Sequence, residues 1–363
     1  MVSETLSLPD ERRVGIGRPA ARSPHPPVRC AKLVVMRSGL ALVVALPLMA
    51  GACGQAVRAG PRPAPATISY QALVAGASDP EGNTLTVRFD SMPGRARQTA
   101  VPTNASDARF TSSGAISYLL PDSIHTLAPS GGARTDATAG SGVIVAFAWN
   151  DGGTLAYLAH ANAAGAGSRL VIRDPAGAAT TVSLSPAAAG GTPSLRFSPD
   201  GRLLLLVDVA LTGSSTLQVR RLDGSLVFQA SGATEATWAG ARRVYFLDAR
   251  GVDVADLTAG VTRTILPDLR WHAPDTSPDG RAVVFELRDG GGQPRLELLD
   301  TSTDAVVPGF EVDEGTAARF VSATEVWFHE AGGAAIVSLD VERRTEAPTG
   351  LTGMVTDVRQ VRP

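Results

Sequence analysis

The sequence predicts an all-β fold, a β-propeller of seven blades with four antiparallel strands each, six or eight blades being the alternatives. Two observations carry this expectation. The tetrapeptide Ser-Pro-Asp-Gly occurs twice, in "RFSPDGRLLLLVD" (196–208) and "DTSPDGRAVVFEL" (275–287), each time ahead of an apolar run. Weaker copies lie around these two at a spacing near forty residues.

Each tetrapeptide reads as a tight turn, because Pro presets one turn position, Asp caps its own backbone and Gly accepts positive φ. The runs "LLLLV" and "AVVF" are too short for a helix and too apolar for an exposed strand, so they read as buried strands. Tracking the residue four before each turn glycine extends the pattern. Phe110 precedes Gly114, Trp149 precedes Gly153, Phe197 precedes Gly201, Trp238 precedes Arg242, Thr276 precedes Gly280 and Phe320 precedes Thr324. Two and four positions beyond stand Ile116/Tyr118, Leu155/Tyr157, Leu203/Leu205, Val244/Phe246, Ala282/Val284 and Val326/Phe328, which read as one strand face repeated six times. A seventh copy, "ASDPEGNTLTVRF", turns at Gly82 but lacks the aromatic and is one position out of step. The seven anchors are 32, 39, 48, 41, 38 and 44 residues apart, the length of a propeller blade. Further strands follow the anchors, among them "RLVIRDPAG", "TLQVRRLDG", "GVDVADL", "RLELLDTS" and "AAIVSLDVERR". A propeller must join its last blade to its first, so "TISYQALVAG" and "GMVTDVRQVRP" are expected to pair within or beside one blade.

Over roughly residues 105–345 the chain resembles the TolB-like family of propellers, whose blades carry an aromatic-Ser-Pro-Asp-Gly motif between the innermost strand and the next. Two copies are clean, "WNDGG" is close and the others are degenerate. No Gly-His opening or Trp-Asp ending recurs, as it would in a WD-repeat protein. TolB itself carries an α/β domain ahead of its propeller. Here about a dozen Pro/Ala/Gly-rich residues intervene, so that partner-binding region is not carried over.

Ahead of the propeller, "MRSGLALVVALPLMAGACGQ" (36–55) has an Arg, an apolar run and small residues before Cys53, the pattern of a lipoprotein signal. The run is shorter than the roughly 20 residues of a membrane span. Residues 1–35 read as a mis-assigned start or an extended signal n-region, 36–52 as the signal, 53–67 as a Pro/Ala-rich tether and 68–363 as the propeller. The expected product is anchored to the outer face of a bacterial cytoplasmic membrane by lipidated Cys53, and by that anchor alone. Cys30 is the only other cysteine, so a chain cut at Cys53 has no thiol to pair. From Cys53 onward 26 basic and 32 acidic residues leave a net charge of −6, without the clustered basic surface that nucleic acid requires.

No Gly-x-Ser-x-Gly elbow, His-Glu-x-x-His or cysteine pair occurs, so no catalytic motif, metal site or cofactor is expected. Blade topology puts His160 and His329 at second-strand ends and His272 just before a first strand, all on the face away from the Ser-Pro-Asp-Gly turns. With Trp271 and Asp289 they are the candidate contacts, because variable loops on a rigid scaffold carry recognition. The sequence therefore reads as a non-enzymatic binding or scaffolding module for an envelope protein, peptide or small ligand. A channel-centred hydrolase or lyase is the alternative, and a purely structural role the third reading. Replacing Cys53 by Ala is expected to release the protein from the membrane fraction; unchanged membrane association without a diacylglyceryl mass would refute the anchor.

Overall fold

Strands that are apolar on both faces need a neighbour on each side. The computed structural model supplies it by setting seven four-stranded antiparallel sheets round an axis, a seven-bladed β-propeller. It describes residues 69–78, 84–90, 97–101, 105–127, 132–161, 167–184, 193–209, 215–288 and 293–361. None of the described residues is helical. The signal, Cys53 and the tether lie outside them.

In chain order the first strands are β1 (Ser69–Ser78), β2 (Thr84–Asp90) and β3 (Arg97–Val101). Blade I is β4 (Asp107–Phe110), β5 (Ile116–Leu120), β6 (Ser123–Leu127) and β7 (Ala133–Thr138). Blade II is β8 (Val143–Trp149), β9 (Leu155–His160), β10 (Arg169–Arg173) and β11 (Ala179–Ser183). Blade III is β12 (Ser194–Phe197), β13 (Leu203–Val209), β14 (Ser215–Arg221) and β15 (Leu226–Ser231). Blade IV is β16 (Glu235–Trp238), β17 (Arg243–Asp248), β18 (Gly251–Asp256) and β19 (Val261–Leu266). Blade V is β20 (Trp271–Thr276), β21 (Ala282–Leu287), β22 (Arg295–Asp300) and β23 (Ala305–Asp313). Blade VI is β24 (Gly315–Phe320), β25 (Glu325–Glu330), β26 (Ala335–Asp340) and β27 (Thr345–Thr352). Blade VII is completed by β28 (Met354–Val361), which pairs with β1 to give the order β28-β1-β2-β3. The expected pairing of the two terminal strands is met, with Leu73 opposite Asp357 and Ala72 opposite Val358.

Each of the seven interfaces between blades holds its own apolar cluster. Blade III shows how. Leu203, Leu205 and Val207 pack on Trp238, Val244 and Phe246 of blade IV. Leu204 and Leu206 turn the other way, onto Ala148, Leu158 and Ile172 of blade II. A second strand buried on both faces has no polar face to alternate with, which is why "LLLLV" is unbroken.

The reading of one strand face repeated six times needs correction. In blades I, II, IV and VI the N–H groups of Thr111, Asn150, Ala239 and Val321 bond to Ala115, Thr154, Arg243 and Glu325, four residues on. In the two Ser-Pro-Asp-Gly blades Ser198 and Ser277 bond to Leu203 and Ala282, five residues on. The extra residue shifts the register. Leu204 and Val283 stand opposite their anchors as Ile116, Leu155, Val244 and Val326 do, so Leu203 and Ala282 lie on the other face. The Gly82 copy is also reassigned: it joins β1 to β2, the second and third strands of blade VII, and so is not an anchor turn.

The longer turns are built alike. Ser198 Oγ accepts the Leu203 N–H at 3.0 Å and donates to Asp200 at 2.6 Å; Ser277 repeats this with Ala282 at 2.9 Å and Asp279 at 2.7 Å. Gly280 is required twice over, by its φ of 73° and because a Cβ there would lie 2.8 Å from the Gly240 backbone nitrogen in the turn of the preceding blade. Between blades II and III, Asn150 Nδ2 donates to Gly201 O at 3.1 Å. Inner turns of neighbouring blades thus meet on one face, hereafter the turn face; the opposite one is the loop face. Ending the chain at Gly353 removes β28 and leaves β1 an open edge; the thermal midpoint is expected to fall by about 10 °C or more, and an unchanged melting curve would refute this closure.

Candidate functional site

The register that aligns the anchors also aligns the residue before each one. These are Arg109, Ala148, Arg196, Thr237, Asp275 and Arg319, and Asp357 on β28 takes the same place in blade VII. All lie on innermost strands; the side chains of Thr237, Asp275 and Asp357 reach the following blade, whereas those of Arg109 and Arg319 meet an acid of the preceding one. An innermost strand pairs on one side only, so alternate N–H groups point away from its ladder and need another acceptor. Asp275 supplies one to Phe320 N–H at 2.8 Å, and Asp357 one to Phe110 N–H at 2.7 Å. Thr237 meets Thr276 hydroxyl to hydroxyl at 3.1 Å, and the Trp238 indole donates to Arg196 O at 3.2 Å.

These contacts bring ionised side chains from five blades to the axis. Arg109 pairs with Asp107 at 2.9 Å and faces Asp357 at 4.0 Å. Arg196 crosses from blade III to Asp275 of blade V at 3.4 Å, and Arg319 reaches the same Asp275 oxygen at 3.2 Å. Their side chains keep 14–35% exposure, so the cluster is only partly solvated. Burial, then repulsion from Arg319, pushes the Arg196 guanidinium down to about 10, with Asp275 acting against them. Burial also raises the Asp357 carboxyl above its ordinary range, opposed by Arg109 and the Phe110 N–H. Forked guanidinium groups in a partly dehydrated channel are suited to carboxylate, and a carboxyl with a raised pKa is suited to proton transfer.

Toward the loop face, two innermost strands bulge just before their ring residue, at His272/Asp275 and Thr316/Arg319. Ala273 and Ala317 there hold φ of 47° and 51°, a left-handed conformation costing about 1 kcal/mol in a non-glycine residue. Their N–H groups donate to Glu235 and Glu286. Bulges of this kind re-aim the side chains that follow them.

The residues singled out from sequence are dispersed. His160 ends β9 and is buried by blade packing; burial lowers its pKa against Asp208, and its Nε2 has no hydrogen-bond partner among the described residues. His329, at the far end of β25, is likewise buried with its pKa lowered. His272, expected just before a first strand, is instead the second residue of β20, with Nδ1 3.7 Å from Glu235. Trp271 is a core residue and not an exposed contact: it is 6% exposed and edge-on to Phe285 at 5.4 Å. A recess of about 60 Å³ beside it is lined by Thr234, Asp248, Asp268, Leu269 and His272, room for about two waters. Asp289 lies outside the described residues. Among the described residues no His, Cys, Asp or Glu group is arranged to hold a metal ion. Sequence reasoning missed the charged ring, although the repeats carry its signal: Arg precedes the aromatic in "RFTSSG", "RFSPDG" and "RFVSAT", and Asp stands there in "DTSPDG".

No family model and no curated protein matches the chain. Solved structures do. The periplasmic gluconolactonase of Pseudomonas aeruginosa is 16% identical, with a TM-score of 0.54 over 81% of this chain and 99% of that one. A puromycin hydrolase is 17% identical at TM-score 0.54, over 80% of this chain and 52% of its own. TolB from Acinetobacter baumannii is 15% identical at TM-score 0.43, over 64% of this chain and 61% of its own length. At these identities the likeness is one of fold. It nevertheless overturns the expectation of a non-enzyme, since the same propeller is found in proteins named for hydrolysis, and neither the fold nor a missing motif speaks against catalysis.

Asp357 gives the site a pH signature. With its folded pKa raised above the ordinary 3.8, the native state binds more protons than the unfolded chain between the two values, so this group's contribution to stability grows as pH falls through that window. Asp256, held low by the Ala259 and Thr258 N–H groups, acts in the opposite sense. The difference between wild type and Asp357→Asn isolates the first effect. Denaturant midpoints from pH 7 to pH 4 are expected to show the wild type gaining on the variant as pH falls; parallel profiles would refute the raised pKa.

Proposed function

We propose that this chain is an exported, lipid-anchored propeller whose axial channel receives a small organic acid from the loop face. The observation that supports it is the ring: Arg109, Arg196 and Arg319 come from three different blades to one partly solvated place. Apolar packing alone would not retain three guanidinium groups there, since burying a charge is costly unless it is paired. The closely packed inner turns favour approach from the other face. A peptide or protein of the envelope would meet the loops of that same face, and residues 162–166, 210–214 and 289–292, which belong to those loops, lie outside the described structure.

A second reading, hydrolysis of an ester or lactone of such an acid, is favoured by Asp357. Its raised pKa and its place beside Arg109 suit a general base that activates water while a guanidinium faces the developing oxyanion. Both readings are tested with the domain from residue 64 onward. Gluconate, acetate, phosphate and neutral glucose are titrated by calorimetry, and δ-gluconolactone hydrolysis is followed by proton release. Carboxylate binding weakened by Arg196→Gln or Arg319→Gln supports the channel reading, and binding of none of the anions refutes it. Hydrolysis abolished by Asp357→Asn with binding retained supports the second reading; hydrolysis at the uncatalysed rate refutes it for this lactone.

A further inference from the structure

The ring pairs each acid with an arginine one blade further on. Asp357 of blade VII accepts the Phe110 N–H and faces Arg109 of blade I; Asp275 of blade V accepts the Phe320 N–H and faces Arg319 of blade VI. In both cases the acid serves the two consecutive residues Arg-Phe of the next innermost strand. Blade III carries the same dipeptide, Arg196-Phe197, at the same register. Blade II, which should supply its acid, has Ala148 in that place.

The consequence is a local imbalance of charge. Around Arg109 there are two acids, Asp107 and Asp357. On the other side Arg196 and Arg319 share one oxygen of Asp275, and Arg196 reaches past blade IV to do so. Burial first, then repulsion from Arg319, depresses its pKa. Phe197 N–H lies at the position whose counterparts in Phe110 and Phe320 point out of the ladder, because Ser198, one residue on, makes the ladder bond to Leu203. Two donors, a guanidinium and a backbone N–H, are thus aligned as they are twice elsewhere in the ring, each time toward a carboxylate.

We propose that a ligand carboxylate takes the place of the acid that blade II does not carry, one oxygen on the Phe197 N–H and the other on the Arg196 guanidinium. This deepens the reading of the channel as an organic-acid site and rests on it. The two built-in precedents are carboxylates and the local deficit is one negative charge, so the class selected is a monocarboxylate, with gluconate and acetate preferred to phosphate.

The test is to build the acid in. Ala148→Asp places a carboxylate where Asp275 and Asp357 stand in their blades, and it is expected to keep the fold while weakening gluconate binding at least tenfold. Arg196→Gln is expected to weaken it as much, and gluconate is expected to shift the Phe197 amide resonance of the wild type more than that of Phe110 or Phe320. Gluconate that binds wild type and Ala148→Asp equally, or that leaves the Phe197 amide unmoved while Arg109→Gln removes binding, overturns this seat but leaves the channel reading standing. Failure of the wild type to bind gluconate, acetate and phosphate overturns both. Should Ala148→Asp not fold, the Arg196→Gln titration and the Phe197 amide decide alone, binding and amide shift unaffected by the substitution overturning the proposal.

Discussion

A sheet set radially round an axis leaves its innermost strand with one row of backbone groups that no strand can satisfy, and this propeller has seven such rows. At two of them the carboxylate before the anchor answers that need, Asp275 accepting the Phe320 N–H and Asp357 the Phe110 N–H of the following blade. A buried N–H without an acceptor costs about 1–3 kcal/mol, so these positions cannot all be filled with aliphatic residues. The polarity of the channel is therefore first a structural requirement. Arginines enter as partners of the acids, and the functional character of the channel begins where acids and arginines fail to match.

Much of the fold was legible because the requirements of a blade are local. Turn chemistry, anchor aromatics and blade-length spacing sufficed for seven blades, although the seventh anchor was misplaced, and the need to close the ring sufficed for the pairing of β28 with β1. The strand faces were less legible. A turn longer by one residue reverses every side chain beyond it, and "LLLLV" and "AVVF", buried on both sides, carry no alternation to reveal the reversal. The second hairpin of blade VII was mistaken for an anchor for a related reason: Asp-Pro-Glu-Gly is as good a turn between outer strands as between inner ones.

The site was less legible still. Histidines and a tryptophan draw attention as reactive or contact-forming types, yet His160, His329 and Trp271 are buried by blade packing. Arg109, Arg196 and Arg319 look like ordinary strand-end charges until the repeats are stacked, because residues over two hundred positions apart become neighbours only through the circular arrangement. Ala148 is the extreme case. Nothing about an alanine in "VIVAFAWNDGG" invites comment, and its meaning comes from what stands at the six equivalent positions.

The join between β28 and β1 has a temporal side. Leu73 and Thr356, in contact across it, are separated by 283 residues, so the strand made first waits for nearly the whole chain before its partner exists. At synthesis rates of about 5–20 residues per second that interval is roughly 15–60 s. Throughout it β1 presents a bare apolar edge, the kind of edge that recruits foreign strands. The late strand also carries Asp357, so the acid that holds blade I to blade VII arrives only then. The pairing that closes the ring is therefore the last one that the order of synthesis permits.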